Sequence, residues 1–238
     1  MAAGFTSTGE NAAPGLPALI RLLHLASPAL PVGAFSYSQG LESAVELGWV
    51  TTREGAGAWI GDALELAVGR LEAPVWLRLH AAWTRGDAAE AARWNELFLA
   101  SRDTAEGRLE TVQMGYSLGR LLESLDPVRF PPLMGMGWDE PAFPAEFARA
   151  AAAWGVRAEE GLAAYLWAWL ENQVTAAVKV VPLGQTDGQR LLFELGERLP
   201  GVVRGAWEAS DGDLAGSAPA LGLAGALHET QYSRLFRS

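Results

Sequence analysis

Cysteine is missing from all 238 residues, which excludes a disulfide framework and any thiolate-ligated metal centre. Lysine is almost as scarce. The one lysine, Lys179, sits in a valine- and alanine-rich segment with no glycine-rich turn leading into it. A phosphate-cradling loop ending in Lys-Ser or Lys-Thr is therefore excluded, which argues against nucleoside triphosphate hydrolysis by this chain. A desolvated lysine can act as a Schiff-base amine, but a lysine near a helix end more often reaches for solvent. Histidine occurs three times, as His24, His80 and His228, and no two are close in sequence. His228-Glu229 opens like a zinc-protease helix, yet Tyr232 stands where the second histidine belongs. His24, among leucines, reads as a hydrogen-bonded core residue, although copies paired across a dimer axis can share a site. No catalytic residue and no metal ligand is assigned.

Basic charge is also short. The net charge of −10 argues against nucleic acid or an anionic membrane as the main partner. The first basic residue is Arg21, so the positive start of a secretory leader is not seen. The uncharged run from Leu22 to Leu41 reaches membrane-spanning length, but Pro28, Pro31 and Gly33 interrupt it. Gly161 to Leu170 is too short, and Glu171, Asn172 and Gln173 follow it. The expectation is a cytoplasmic protein that does not enter membranes.

No segment alternates with period two for long, so strands are not expected. Half of the residues are hydrophobic, enough for one sizeable core, and ten are tryptophan, a residue that favours cores and protein interfaces. The patterning predicts an all-α single-domain bundle of about ten helices. Residues 1–15 are small and polar and are expected to be a disordered lead-in, 16–227 the helical domain, and 228–238 a tail.

Leu16 to Ala26 has helical spacing. Thr51 with Glu54 is a capping box for a helix through Leu71, Glu72 and Pro74 mark a break, and Val75 to Thr84 reads as the next helix with Pro74 at its first turn. Asp87 with Glu90 caps the next helix, Asp103 starts a long one to Leu125, and Ala158 to Val181 reads as the most buried. Thr186 or Asp187 caps a following helix, Pro200 to Ala209 forms another, and a short one precedes the tail. Between Asp126 and Pro144 five prolines preclude regular structure, and its apolar residues suit either a packed loop or a partner-facing surface.

The stretch that organises the chain is Ser27 to Glu42, SPALPVGAFSYSQGLE. Pro28 and Pro31 stiffen it, Gly33 permits a change of direction, and Ser36 with Gln39 is a capping box that predicts a helix start. The other distinctive stretch is the tail. Tyr232, Leu235 and Phe236 are apolar anchors interleaved with Arg234 and Arg237, residue types enriched at interface hot spots. Either the tail docks on a partner or it folds back on its own domain.

These two stretches, together with Val181-Pro182-Leu183-Gly184-Gln185-Thr186-Asp187-Gly188-Gln189, resemble three motifs of the urease accessory protein F family (UreF), in the same order. The resemblance implies an all-helical, dimeric protein without enzymatic activity. It would bind UreD (UreH in some organisms) and recruit the GTPase UreG, so that nickel is delivered to apo-urease with GTP hydrolysis. Nickel would be cargo of the complex and GTP a ligand of the partner, with no cofactor bound here. It further implies that Tyr232, Arg234, Leu235, Phe236 and Arg237 order on UreD. Lys179, Pro182, Gly184, Gln185, Asp187 and Gln189 would lie near a surface facing the GTPase. Pro28, Pro31, Gly33, Ser36, Tyr37, Ser38, Gln39, Gly40 and Glu42 would shape the core and dimer. Phe143 departs from the family pattern, which has histidine or tyrosine before Pro144. Two alternatives stay open: a metallochaperone binding nickel directly through convergent histidines, and an all-helical enzyme built on Lys179 or paired carboxylates.

Overall fold

In the computed structural model, which describes residues 15–134, 137–216 and 218–238, eleven α-helices are present and no strand occurs among the described residues. They are α1 (Leu16–Leu25), α2 (Leu41–Glu46), α3 (Arg53–Asp62), α4 (Ala73–Thr84), α5 (Ala88–Ala100), α6 (Ala105–Leu125), α7 (Phe143–Ala153), α8 (Ala158–Val180), α9 (Gln185–Gly196), α10 (Leu199–Glu208) and α11 (Pro219–His228). The expectation of an all-α, single-domain protein is met. The predicted lead-in falls, but for Gly15, outside the described residues.

Helices α4, α7 and α8 pack on one another, with α5 and α6 flanking α4 and α7, and α9 on α8. Their shared core is aromatic. The fully buried Trp76 stacks on His80 with centroids 5.3 Å apart and meets the edge of Phe147 at 6.4 Å. Burial lowers the His80 pKa, and its Nε2 bonds the Val156 carbonyl (2.9 Å). His80 is thus the hydrogen-bonded core histidine of this region. His24, expected in that role, is half-buried on α1; its carbonyl accepts from Ser27 N (3.3 Å), and its ring has no hydrogen-bond partner among the described residues.

Pro74 does not break the chain. A π-helical segment, Ala63–Glu72, carries α3 directly into α4, with Ala73 fully helical (φ −62°, ψ −47°). The altered bonding of the π segment ends where α4 begins at Ala73, and Pro74 stands in the first turn of that helix, where its missing N–H costs little. Local caps shift by one residue from expectation in two places: Thr52, not Thr51, accepts from Gly55 N (3.1 Å), and Thr104, not Asp103, accepts from Gly107 N (3.0 Å). Asp87 does cap α5, accepting from Glu90 N at 3.0 Å. Helix α9 follows Gly184 without a side-chain cap, and Asp187 pairs with Arg190 instead (3.2 Å). Of the proline-rich loop, Phe130, Leu133 and Trp138 are buried, so its described part is largely a packed loop.

The larger difference lies in the first motif. No helix starts at Ser36. A single 3₁₀ turn (Ala34–Ser36) gives way to extended Tyr37, then Gln39 and Gly40 take left-handed φ values of 52° and 81°, and α2 begins only at Leu41. Gly40 suits this turn for a second reason. A Cβ there would stand 3.0 Å from the Gly225 nitrogen of α11. The expected Ser36–Gln39 box fails because Gln39 is used elsewhere, as described next.

Candidate functional site

Gln39 points into the body, where its Nε2 donates to Glu110 Oε1 (2.7 Å) and its Oε1 accepts from Trp169 Nε1 (2.8 Å). Two tertiary bonds have displaced one local cap. Tyr37 behaves alike: its hydroxyl donates to Gln113 (2.7 Å) and its carbonyl accepts from Asn172 Nδ2 (3.1 Å). The first motif is therefore sewn onto α6 and α8 by its polar side chains, while Leu30, Val32 and Leu41 are buried beneath it.

Against this motif lies the tail, about two hundred residues away in sequence. Glu42 accepts the Leu235 and Phe236 amides, at 2.6 and 2.8 Å, and Arg237 N donates to the Ser36 carbonyl (2.8 Å). The Ser238 carbonyl accepts from Ser38 N (2.7 Å), Gln39 N (3.1 Å) and Ser38 Oγ (2.7 Å). Ser238 Oγ donates to Glu110 Oε2 at 2.7 Å. His228, wholly buried, directs Nδ1 at Glu106 (2.7 Å), and its Nε2 lies 3.4 Å from Glu42. Arg234 pairs with the same Glu106. Phe236 is buried, and the Lys179 amine stands 5.4 Å above its ring centroid, a cation–π contact that ties α8 to the tail. Tyr232 (104% exposed) and Leu235 (65%) point outward.

Of the two readings of the tail, folding back describes 236–238 and outward presentation describes Tyr232 and Leu235. Lys179 is an exposed residue at the end of α8, as a lysine near a helix end is expected to be. The second motif is only partly drawn in. Pro182, Gly184, Gln185 and Gln189 are exposed, Asp187 is half-buried, and none of the five lines the cavity described next. Pro28 and Pro31 are exposed on the connector, and Gly33 (φ 79°) turns it.

Behind the motif and the tail is a cavity of about 250 Å³, lined among others by Gln39, Glu72, Met114, Phe143, Trp169 and Ser238. Its polar wall escaped sequence reasoning, because Glu72, Glu110 and Tyr165 look like unremarkable helix residues when read singly. The Tyr165 hydroxyl donates to Glu72, which also receives Arg102 Nη1 at 3.3 Å. Burial drives the Tyr165 pKa upward, and the Glu72 carboxylate adds to this. Phe143 joins the cavity's aromatic side, its centroid 5.7 Å from those of both Phe147 and Tyr165. The ring that departs from the family pattern is thus a packing residue. Among the described residues, no group of three or more His, Asp or Glu is disposed to hold a metal ion.

Burial raises Glu110 from 4.5 to about 7, against the opposing bonds from Gln39 and Ser238. A carboxyl held more firmly protonated in the folded state contributes stability that is full below pH 4.5 and is lost as pH rises to about 7. The loss is on the order of 3 kcal/mol. Unfolding by urea across this range should show that decline, and Glu110→Gln should flatten it and exceed the parent at pH 8. A decline unchanged in the variant would assign it to another group.

A model of the UreF family matches residues 50–196, more than half of the chain. This chain belongs to the UreF family. A urease accessory protein UreF from Azoarcus sp. (strain BH72) is 57% identical over 235 residues, covering 96% of this chain and 99% of the relative. Similar proteins of that name from Dechloromonas aromatica and Methylobacillus flagellatus are 50% and 48% identical, each over 92% of this chain and 97% of their own length. UreF membership makes the chain an accessory of urease, named for assisting an enzyme's maturation and not for a reaction of its own. No described helix is long and apolar enough to cross a membrane.

Proposed function

We propose that this chain is a cytoplasmic adaptor that bridges UreD (UreH) and the GTPase UreG, so that nickel enters apo-urease in a GTP-dependent step. The observation carrying the reading is the division of the tail. Its inner residues are anchored on the first motif, which leaves Tyr232 and Leu235 presented on a fixed backbone. A preorganised aromatic and aliphatic pair loses little ordering entropy on docking. Uncovered apolar side chains elsewhere favour assembly too: Leu16, Ile20 and Leu23 form an exposed stripe along α1, suited to a homodimer or to a further subunit. Nickel is cargo in this reading, and the acidic surface needs no cofactor of its own.

The test is urease activation in cells carrying the urease operon with this gene deleted, restored, or restored as Tyr232→Ala/Leu235→Ala. Deletion should leave urease poor in nickel, and the parent gene should restore it. The double variant should fold normally, lose co-purification with UreD, and restore less than about a tenth of the activity. Retained UreD binding by that variant would remove the tail from the interface, and fully nickel-loaded urease in the deletion strain would remove the maturation role.

A further inference from the structure

We propose that the π-helical segment Ala63–Glu72 is a register switch in the cavity wall, held in its present form by the Glu72 side chain. The helical run from Arg53 to Thr84 contains no loop, only this change of bonding, in which Ala73 N donates to the Val68 carbonyl five residues back. Residues five apart then share a face. In α bonding they would stand roughly 140° apart. Ala67 and Glu72 both line the cavity, with Val68 and Leu71 between them. On another face Glu65 and Arg70, also five apart, both line an open groove of about 390 Å³ against α10. The segment thus divides two hollows, and its register decides which side chains each receives.

The hold on this register lies at the segment's end. Glu72, itself buried, receives the Tyr165 hydroxyl from α8 and Arg102 Nη1 (3.3 Å) from the turn between α5 and α6. Arg102 is seated in turn on Phe98, 4.0 Å from the ring centroid. Two donors from separate elements fix the rotation of Glu72 about its helix axis, and a buried acceptor cannot leave both without loss. The following rung adds no preference of its own. Pro74 has no N–H, so it selects neither the Gly69 carbonyl, its π partner, nor the Arg70 carbonyl, its α partner. Without the Glu72 anchor the commoner i→i+4 bonding takes over, and Ala67 and Glu72 no longer face the cavity together. The inference concerns the chain without partners and stands apart from the docking reading above.

Histidine pairs engineered outside the cavity read the register directly, because two histidines chelate zinc when they share a face. Glu65→His/Arg70→His places them five apart and chelates in the π form. Leu66→His/Arg70→His places them four apart and chelates in the α form. Each pair would be introduced into the parent chain, Glu72→Leu and Tyr165→Phe. The zinc-induced shift of the urea midpoint would be measured against the same chain without the pair. In the parent the 65/70 pair should bind zinc at least about tenfold more tightly than the 66/70 pair. The preference should reverse in Glu72→Leu and shrink in Tyr165→Phe, where Arg102 still holds the carboxylate. Should Glu72→Leu fail to fold, the Tyr165→Phe comparison decides alone. Tighter binding by the 66/70 pair in the parent would overturn the π register, and an unchanged preference for 65/70 in the variants would overturn the anchoring role of Glu72.

Discussion

Replacing Gly115 with alanine should cost about 3 kcal/mol or more, a large effect for one added carbon. A Cβ at this position would stand 2.1 Å from the Pro141 carbonyl oxygen, 2.7 Å from the Ala142 carbonyl carbon and 2.9 Å from the Phe143 nitrogen. All three are backbone atoms, so no rotamer change relieves the overlap. Nor can the strand of backbone retreat easily. Asn95 holds it from the far side, accepting from Ala142 N (2.8 Å) and donating to the Glu140 carbonyl (3.0 Å), while Thr111 accepts from Phe143 N (3.2 Å). Gly205 provides the contrast. It is inside α10 with nothing within 4 Å of its missing Cβ, so alanine there should stabilise by about 0.5–1 kcal/mol. The same chemical change is thus expected with opposite signs at two helix positions. Urea midpoints at constant slope would measure both, and a Gly115→Ala loss of only a few tenths of a kcal/mol would show that α6 and α7 can part without penalty.

Arg149→Ala should cost as much or more, about 3–5 kcal/mol, through a charge left behind. Glu146 is 2% exposed on α7, with its pKa raised by burial and held back by Arg149 beside it, Nη1 to Oε2 at 3.2 Å. Arg149 also donates through Nη2 to the Pro131 carbonyl (2.6 Å) and lies 5.5 Å from the Phe130 centroid, so it fastens the proline-rich loop as well. Truncation strands both the carboxylate and that carbonyl. The pH signature separates the two losses. Without Arg149 the folded state favours protonated Glu146, so stability should fall as pH rises through the carboxyl range and recover on acidification. Glu146→Gln/Arg149→Met should recover most of the charge-derived loss and leave the loop's share. A loss independent of pH would mean that the carboxylate finds water or another partner.

Helix content was legible in the sequence because it rests on local chemistry. Apolar residues recurring at helical spacing, Asp87 three residues before Glu90, and Pro200 at the start of its helix each act within a few residues of themselves. Where a local signal had one claimant it was honoured, within a residue or so. Pro74 does stand in the first turn of a helix ending at Thr84, as its sequence context indicates, but the break expected before it is closed by a π segment, whose altered hydrogen bonding no local signal announces. Gln39 was misjudged as a cap because Glu110 and Trp169, far along the chain, offer its amide two better partners.

The candidate site shows the same division. Composition alone excluded a thiolate centre and a nucleotide loop, and the motifs at both ends together with the family resemblance pointed to an accessory of urease. These are properties of which residues are present and in what order. The sequence could not show that Glu42 receives the tail's amides, that Lys179 covers Phe236, or that Glu110, Glu72 and Tyr165 share one cavity. Each of those depends on contacts between residues from about forty to two hundred positions apart, set by how the helices pack. Local preference decided where helices form; the packing of the core decided which of their polar groups meet, because a buried donor or acceptor must find its partner wherever the fold places one.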